Sequence, residues 1–208
     1  MPRAEEYGRG RILLEVCLAG TTNLCIHYGR TKDGKIEGRE LNRLWGWVDT
    51  GFAADLDTRR SQTGYDIMMN GGPISWKSVK QKSVSLSTAE SEWYAGNEAG
   101  KELLYLRIII REFGFPLLGP MQLHEDSHAV IAMAENPSNR TGARHIDTRE
   151  HFVDHLVKDR IFKMVQCRTN KMVADALTKN AEELARNCFQ VSSRRQPCWE
   201  KTRRRFQR

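Results

Sequence analysis

Between residues 83 and 113 the spacing of apolar positions changes its period. Val84 and Leu86 alternate with Ser83, Ser85 and Ser87, the two-residue repeat of a half-buried strand. From Ala89 the repeat becomes helical. Ala99, Leu103, Leu106 and Ile110 fall three or four apart on one face, and that face, carried back toward the start of the helix, meets Glu92. Ser87 or Thr88 supplies the cap. A carboxylate is therefore expected on the buried side, whereas a plain S/T-x-x-E start would leave Glu90 and Glu92 serving only the positive end of the helix dipole.

The same reasoning lays out the rest of the chain. Residues 11–18 read as a helix, residues 24–28 as a short strand and residues 31–43 as a polar linker. Residues 44–49 predict a first strand ending on Asp49, and residues 61–70 a second. A turn at Asn70-Gly71-Gly72-Pro73 leads into a third, which opens at residues 74–77 and continues through Val84 and Leu86. The long helix runs to Gly114, with Pro116 just beyond. Residues 121–124 predict a fourth strand leading into Glu125-Asp126, and residues 127–135 a helix stopped by Asn136-Pro137. A further helix over residues 148–158, a fifth strand over residues 161–167 and a last helix over residues 172–186, with Asp175 in its first turn, complete the order β-β-β-α-β-α-α-β-α.

Composition narrows the class. A chain of 208 residues with 39% hydrophobic and 28% charged positions holds one domain with a real core plus extensions. No apolar run approaches the roughly 18 residues of a membrane span, and the first residues lack the apolar core of a signal peptide, so an intracellular protein is expected. Five cysteines without a C-x-x-C pair support neither a disulfide framework nor a zinc knuckle. The net charge of +7 is concentrated: residues 194–208 hold seven basic residues against Glu200 alone. Such a tail binds phosphate non-specifically, but it is equally the composition of a solvated end or a localisation signal.

The acids carry the chemistry. Asp49 ends strand one, Glu92 opens the long helix, Asp126 follows strand four and Asp175 lies near the start of the last helix. In a mixed sheet with neighbouring strand ends these positions converge, and converging carboxylates need cations. Hard oxygen ligands without cysteine point to Mg²⁺ or Mn²⁺. Two such ions clamp the attacking and leaving oxygens of an in-line phosphoryl displacement.

Five ordered blocks, GWVDTGFAADLDTRRSQTGY, GGPISWKSVKQKSVSLSTAESEWYA, HEDSHAVIAMAENP, ARHIDTREHFVDH and VADALTK, closely resemble the ribonuclease H region of copia-type retrotransposon polyproteins. The likeness covers about residues 44–179, and GRILLEVCLAGTTNLCIHYG, residues 10–29, also resembles the segment joining the family's reverse transcriptase to its ribonuclease H. The resemblance implies an α/β ribonuclease H-like fold, a five-stranded mixed sheet flanked by helices, over residues 44–186. Residues 1–43 would be a remnant of the connection to the polymerase, and residues 187–208 a basic tail. It implies a metal-dependent endonuclease that hydrolyses the RNA strand of RNA/DNA hybrids, with a reverse transcriptase domain as partner and no membrane or small-molecule substrate. Asp49, Glu92, Asp126 and Asp175 would be catalytic and would hold two Mg²⁺ or Mn²⁺ ions, with Glu90 the rival for the second place. Preference for RNA would come from contacts to 2′-hydroxyls in the wide minor groove. Arg59, Arg60, Lys77, Lys80 and Lys82 are candidates for strand-backbone contacts, against an even prior of ordinary solvated charges. The implied location is a cytoplasmic virus-like particle or the nucleus.

Three departures bear on activity. Family members read D-x-D after strand one, and Gly51 stands where the second Asp would be. Asn180 replaces the usual Pro after L-T-K, and residues 168–171 lack the histidine that many cellular ribonucleases H carry in that loop. The alternative is therefore a catalytically inactive remnant that at most binds nucleic acid. His151 and His155 are spaced as helical zinc ligands, but Asp147 as a helix cap with histidines at the surface explains that block without zinc.

Overall fold

The computed structural model describes Ile26, Tyr28, residues 42–135 and residues 152–179. Tyr28–Thr178 is one compact unit. Its strands are β1 (Trp45–Gly51), β2 (Gln62–Met69), β3 (Gly72–Lys80), β4 (Met121–Glu125) and β5 (Phe162–Gln166). Its helices are α1 (Thr88–Glu112), α2 (His128–Glu135) and α3 (Phe152–Lys158), and short 3₁₀ turns follow at Thr169–Lys171 and Ala174–Leu177. The sheet order is β3-β2-β1-β4-β5. The first three strands are antiparallel and β1-β4-β5 are parallel, so the sheet is mixed as expected.

Asn70 and Gly71 join β2 to β3 through positive φ angles of 51° and 87°, the backbone twist a two-residue hairpin turn demands. Val48, Ile67, Leu123 and Met164 supply the sheet's side of the core. Trp93, Ala95, Ala99 and Leu103 of α1 meet them, with Val130 and Val153 closing the layer. Ala99 and Leu103, with Ile110 about two turns further on, lie on the face read from the three-to-four spacing in the sequence, and Ala95 extends it by one turn. No described helix is long and apolar enough to cross a membrane.

Two expectations fail within the described residues. The third strand does not continue through Val84 and Leu86: it ends at Lys80, and those two side chains are 49% and 77% exposed. Polar side chains turn inward there instead. Gln81 donates to Thr63 Oγ1 (3.0 Å) and to the Ser91 carbonyl (2.9 Å), and Ser85 donates to Gln81 Oε1 (3.0 Å). The alternation is real, but hydrogen bonding rather than apolar burial decides which face is inside. The last helix does not open at Met172, since residues 174–177 form only a 3₁₀ turn. The readings over residues 11–18, most of 24–43, 148–151 with His151 and Asp147, and the chain beyond Lys179 lie outside the described residues.

Candidate metal centre

Parallel pairing sets the first two acids level. Trp47 of β1 stands opposite His124 of β4, and two residues further along each strand direction come Asp49 and Asp126, whose carboxylate oxygens lie within 4.8 Å of each other. Glu92 comes from the first turns of α1. The start of that helix explains why it is Glu92 and not Glu90 that reaches the strand ends. Ser87 caps the helix, its Oγ accepting from the Glu90 N–H at 3.1 Å, and the Glu90 carboxylate turns back to accept from the Leu86 N–H at 2.6 Å. Glu90 is thus committed to capping. Two residues later, about 200° around the helix, Glu92 presents a carboxyl oxygen to Asp49 and Asp126, and the three ligand atoms lie within 4.8 Å of one another.

Asp175 stands outside that group of three. Its charge nevertheless acts on Asp49, which the close approach of the 3₁₀ turn makes possible. A Cβ at Gly64 would lie 2.7 Å from Thr178 Cγ2 and 2.8 Å from Leu177 Cβ, and one at Gly51 would lie 2.8 Å from the Thr178 carbonyl oxygen. Both positions need glycine for the turn to sit this near the sheet.

Several residues that sequence reasoning missed hold the acids in place. Thr178 donates its hydroxyl to Asp49 Oδ2, and Thr169, in the loop over residues 168–171 that lacks histidine, donates to Asp126 Oδ2 at 2.9 Å. Thr50 donates its hydroxyl to the Ser91 carbonyl at 3.2 Å and lies close enough to Glu92 to counter part of its upward shift. Glu125 is fully buried; its Oε1 accepts from the N–H groups of both Asp126 and Ser127 at 3.1 Å, and its Oε2 has no partner. Threonines in or beside 3₁₀ turns or near a strand end, and an acid beside another acid, give no periodic signal, so only the fold exposes these roles.

The electrostatics are those of crowded acids. Burial pushes Glu92 up to about 9, with the charges of Glu125 and Asp49 adding to it. Burial pushes Glu125 up to about 8 against its two backbone hydrogen bonds. Asp49 is also raised, by burial first and then by Asp175 and Asp126, while the Thr178 hydroxyl pulls it back. Among the described residues no lysine or arginine forms an ion pair with Asp49, Glu92 or Asp126. The donor set fits a hard divalent cation: oxygen ligands only, negative in sum, with a buried Glu92 oxygen left unpartnered.

The basic candidates are spread around the β2–β3 end. Arg59, Arg60 and Lys82 are exposed, Lys77 pairs with Glu98 at 3.8 Å, and Lys80 pairs with Asp55. His155 is exposed on α3.

No family model matches the chain. The fold is similar to that of LC11-RNase H1, isolated from compost by a metagenomic approach, with a TM-score of 0.53, 14% identity, and coverage of 69% of this chain and 99% of that one. The architecture is that of ribonuclease H. The Pol polyprotein of transposon TNT 1-94 from Nicotiana tabacum is 35% identical over 181 residues, 84% of this chain and 12% of that protein. The Pol polyprotein of transposon RE2 from Arabidopsis thaliana is 31% identical over 152 residues, 73% of this chain and 10% of that protein. Sequence and fold together identify the chain with the ribonuclease H region of retrotransposon Pol polyproteins, and it spans about a tenth of the length of these relatives.

Proposed function

We propose that this region is a divalent-cation-dependent endonuclease, of the copia type, that hydrolyses the RNA strand of RNA/DNA hybrids. The observation that carries the reading is the convergence of Asp49, Glu92 and Asp126 within 4.8 Å, with raised affinity for protons at Asp49 and Glu92 and no lysine or arginine paired with the three among the described residues. Mg²⁺ or Mn²⁺, two ions for an in-line displacement, would supply the positive charge that activates a water and stabilises the departing 3′-oxygen. The chain's own residues do the positioning. Thr178 orients Asp49 and Thr169 orients Asp126, while Asp175 adds negative charge on the side of Asp49.

Arg59, Arg60, Lys77, Lys80 and Lys82 belong to this proposal as backbone contacts, and discrimination for RNA as contacts to 2′-hydroxyls. The polymerase partner, the domain limits at residues 44 and 186, and residence in a virus-like particle or the nucleus are parts of the same proposal. One observation favours the second reading, an inactive remnant that binds nucleic acid: Asp175 lies outside the group of three.

The test is cleavage of a labelled RNA/DNA hybrid with and without Mg²⁺, by the wild type and by Asp126→Asn. The substitution removes one charge and keeps the shape, so cleavage falls by orders of magnitude while metal-free hybrid binding persists or tightens. An undiminished rate in Asp126→Asn rules out the metal-site assignment. A wild type that binds hybrid but never cleaves it establishes the remnant.

A further inference from the structure

Asp126 follows the end of β4, where the ladder no longer holds the backbone. Its carboxylate is fixed on one side by Thr169. On the other side the fixing group is Glu125. This side chain is fully buried, and a single oxygen of it accepts from two consecutive N–H groups, those of Asp126 and Ser127, each at 3.1 Å. A carboxyl that folds over the next two residues clamps the turn in which Asp126 sits. A carboxyl is costly to bury, and the Oε2 atom of this one remains without a hydrogen-bond partner. An apolar side chain of the same volume would avoid burying a carboxyl but would leave the Asp126 and Ser127 N–H groups without this acceptor, so what the acid adds at this position is its hold on the turn.

We infer that Glu125 is a positioning residue of the metal centre: through its Oε1 clamp on the backbone of Asp126 and Ser127 it holds the Asp126 carboxylate at ligand distance from Asp49 and Glu92. This rests on the cation-binding reading of the three acids. Glu125 also contributes the largest neighbouring charge felt by Glu92, which places it against the group from the interior. Partners one step removed from a metal's ligands commonly govern affinity by 10- to 100-fold, by orienting the ligand rather than touching the ion.

Two substitutions of similar volume separate clamping from filling. Glu125→Gln keeps an acceptor oxygen for both N–H groups; Glu125→Met fills the space and accepts nothing. Mn²⁺ affinity of the full chain is measured by isothermal titration at pH 7, with circular dichroism confirming that each variant is folded. The expected result is an affinity within about threefold of wild type for Glu125→Gln and a loss of about tenfold or more for Glu125→Met. Wild-type affinity in folded Glu125→Met overturns the inference, as does an equal loss in both variants, since charge and not the clamp would then be at work. Amide hydrogen exchange of the metal-free wild type keeps the question open to refutation if Glu125→Met fails to fold: slow exchange at Asp126 and Ser127, kept in Glu125→Gln, supports the clamp, and fast exchange at both in the wild type refutes it. A wild type that binds no Mn²⁺ removes the metal reading and this inference with it, whereas normal wild-type binding with an unaffected Glu125→Met removes the inference alone.

Discussion

Replacing Glu92 by glutamine tests the crowding of the acids without recourse to catalysis. Its folded-state pKa of about 9 lies well above the 4.5 of an ordinary glutamate, and burial is the leading cause. Between those values the folded protein keeps a proton that the unfolded chain has released. Stability from this group is therefore fully present below about pH 4.5 and is lost as pH rises through about 9. One proton corresponds to about 1.4 kcal/mol per pH unit, so from pH 6 to pH 8 the metal-free wild type loses roughly 3 kcal/mol on account of Glu92. Glutamine has nearly the same shape and no proton to release.

The measurement is urea unfolding in the presence of a chelator at pH 6, 7 and 8. The wild type falls more steeply with pH than Glu92→Gln, by about one proton's worth. Asp66, which burial raises to about 6, titrates in both proteins and cancels from the difference. Adding Mg²⁺ flattens the wild-type slope, because a bound cation displaces the proton and stabilises the fold more as pH rises. Parallel pH lines for the two metal-free proteins would show that Glu92 is solvated like any surface acid, and the account of the site given above would fail.

Gly64→Ala places a Cβ 2.7 to 3.1 Å from Thr178, Leu177 and Ala174, so thermal unfolding should show a loss of about 1–3 kcal/mol, and cleavage should fall with it because the turn carrying Asp175 is displaced. Thr178→Val removes the hydroxyl that holds Asp49 down, so the Asp49 carboxyl titrates at still higher pH by carbon-detected NMR, with a stability loss of about 1 kcal/mol. Removing residues 194–208, with seven basic residues against one acid, weakens hybrid binding at low salt, a difference that vanishes as salt is raised and leaves cleavage at saturating hybrid unchanged.

Much of the architecture was legible because apolar spacing reports it. The α1 positions Ala99, Leu103 and Ile110 are buried as their spacing requires, and β1, β2, β4 and β5 fall within a residue or two of the expected spans. The choice between Glu90 and Glu92 was legible only as a preference from helix phase, since a capping box competes for either acid. What spacing does not report is polar satisfaction. Ser83 to Leu86 alternates like a strand, yet Gln81 and Ser85 carry the buried hydrogen bonds and the apolar partners face solvent. Glu125 was hidden for the same reason, since its clamp joins neighbours in sequence and leaves no periodic trace.

Gly51 shows how a departure from a family pattern acquires a physical reading. In the sequence it marks an acid missing from D-x-D, a loss of charge beside the site. In the structure the position has no room for any side chain, because a Cβ there would sit 2.8 Å from the Thr178 carbonyl oxygen. The residue whose carbonyl crowds Gly51 is the one whose hydroxyl orients Asp49. Glycine at 51, glycine at 64 and threonine at 178 thus act together: the two glycines admit the 3₁₀ turn, and the turn delivers a donor to Asp49 and a further negative charge from Asp175. An aspartate restored at 51 alone would gain a carboxylate and push away the turn that positions another, so the missing acid is tied to the packing of this chain and cannot be weighed as a charge by itself.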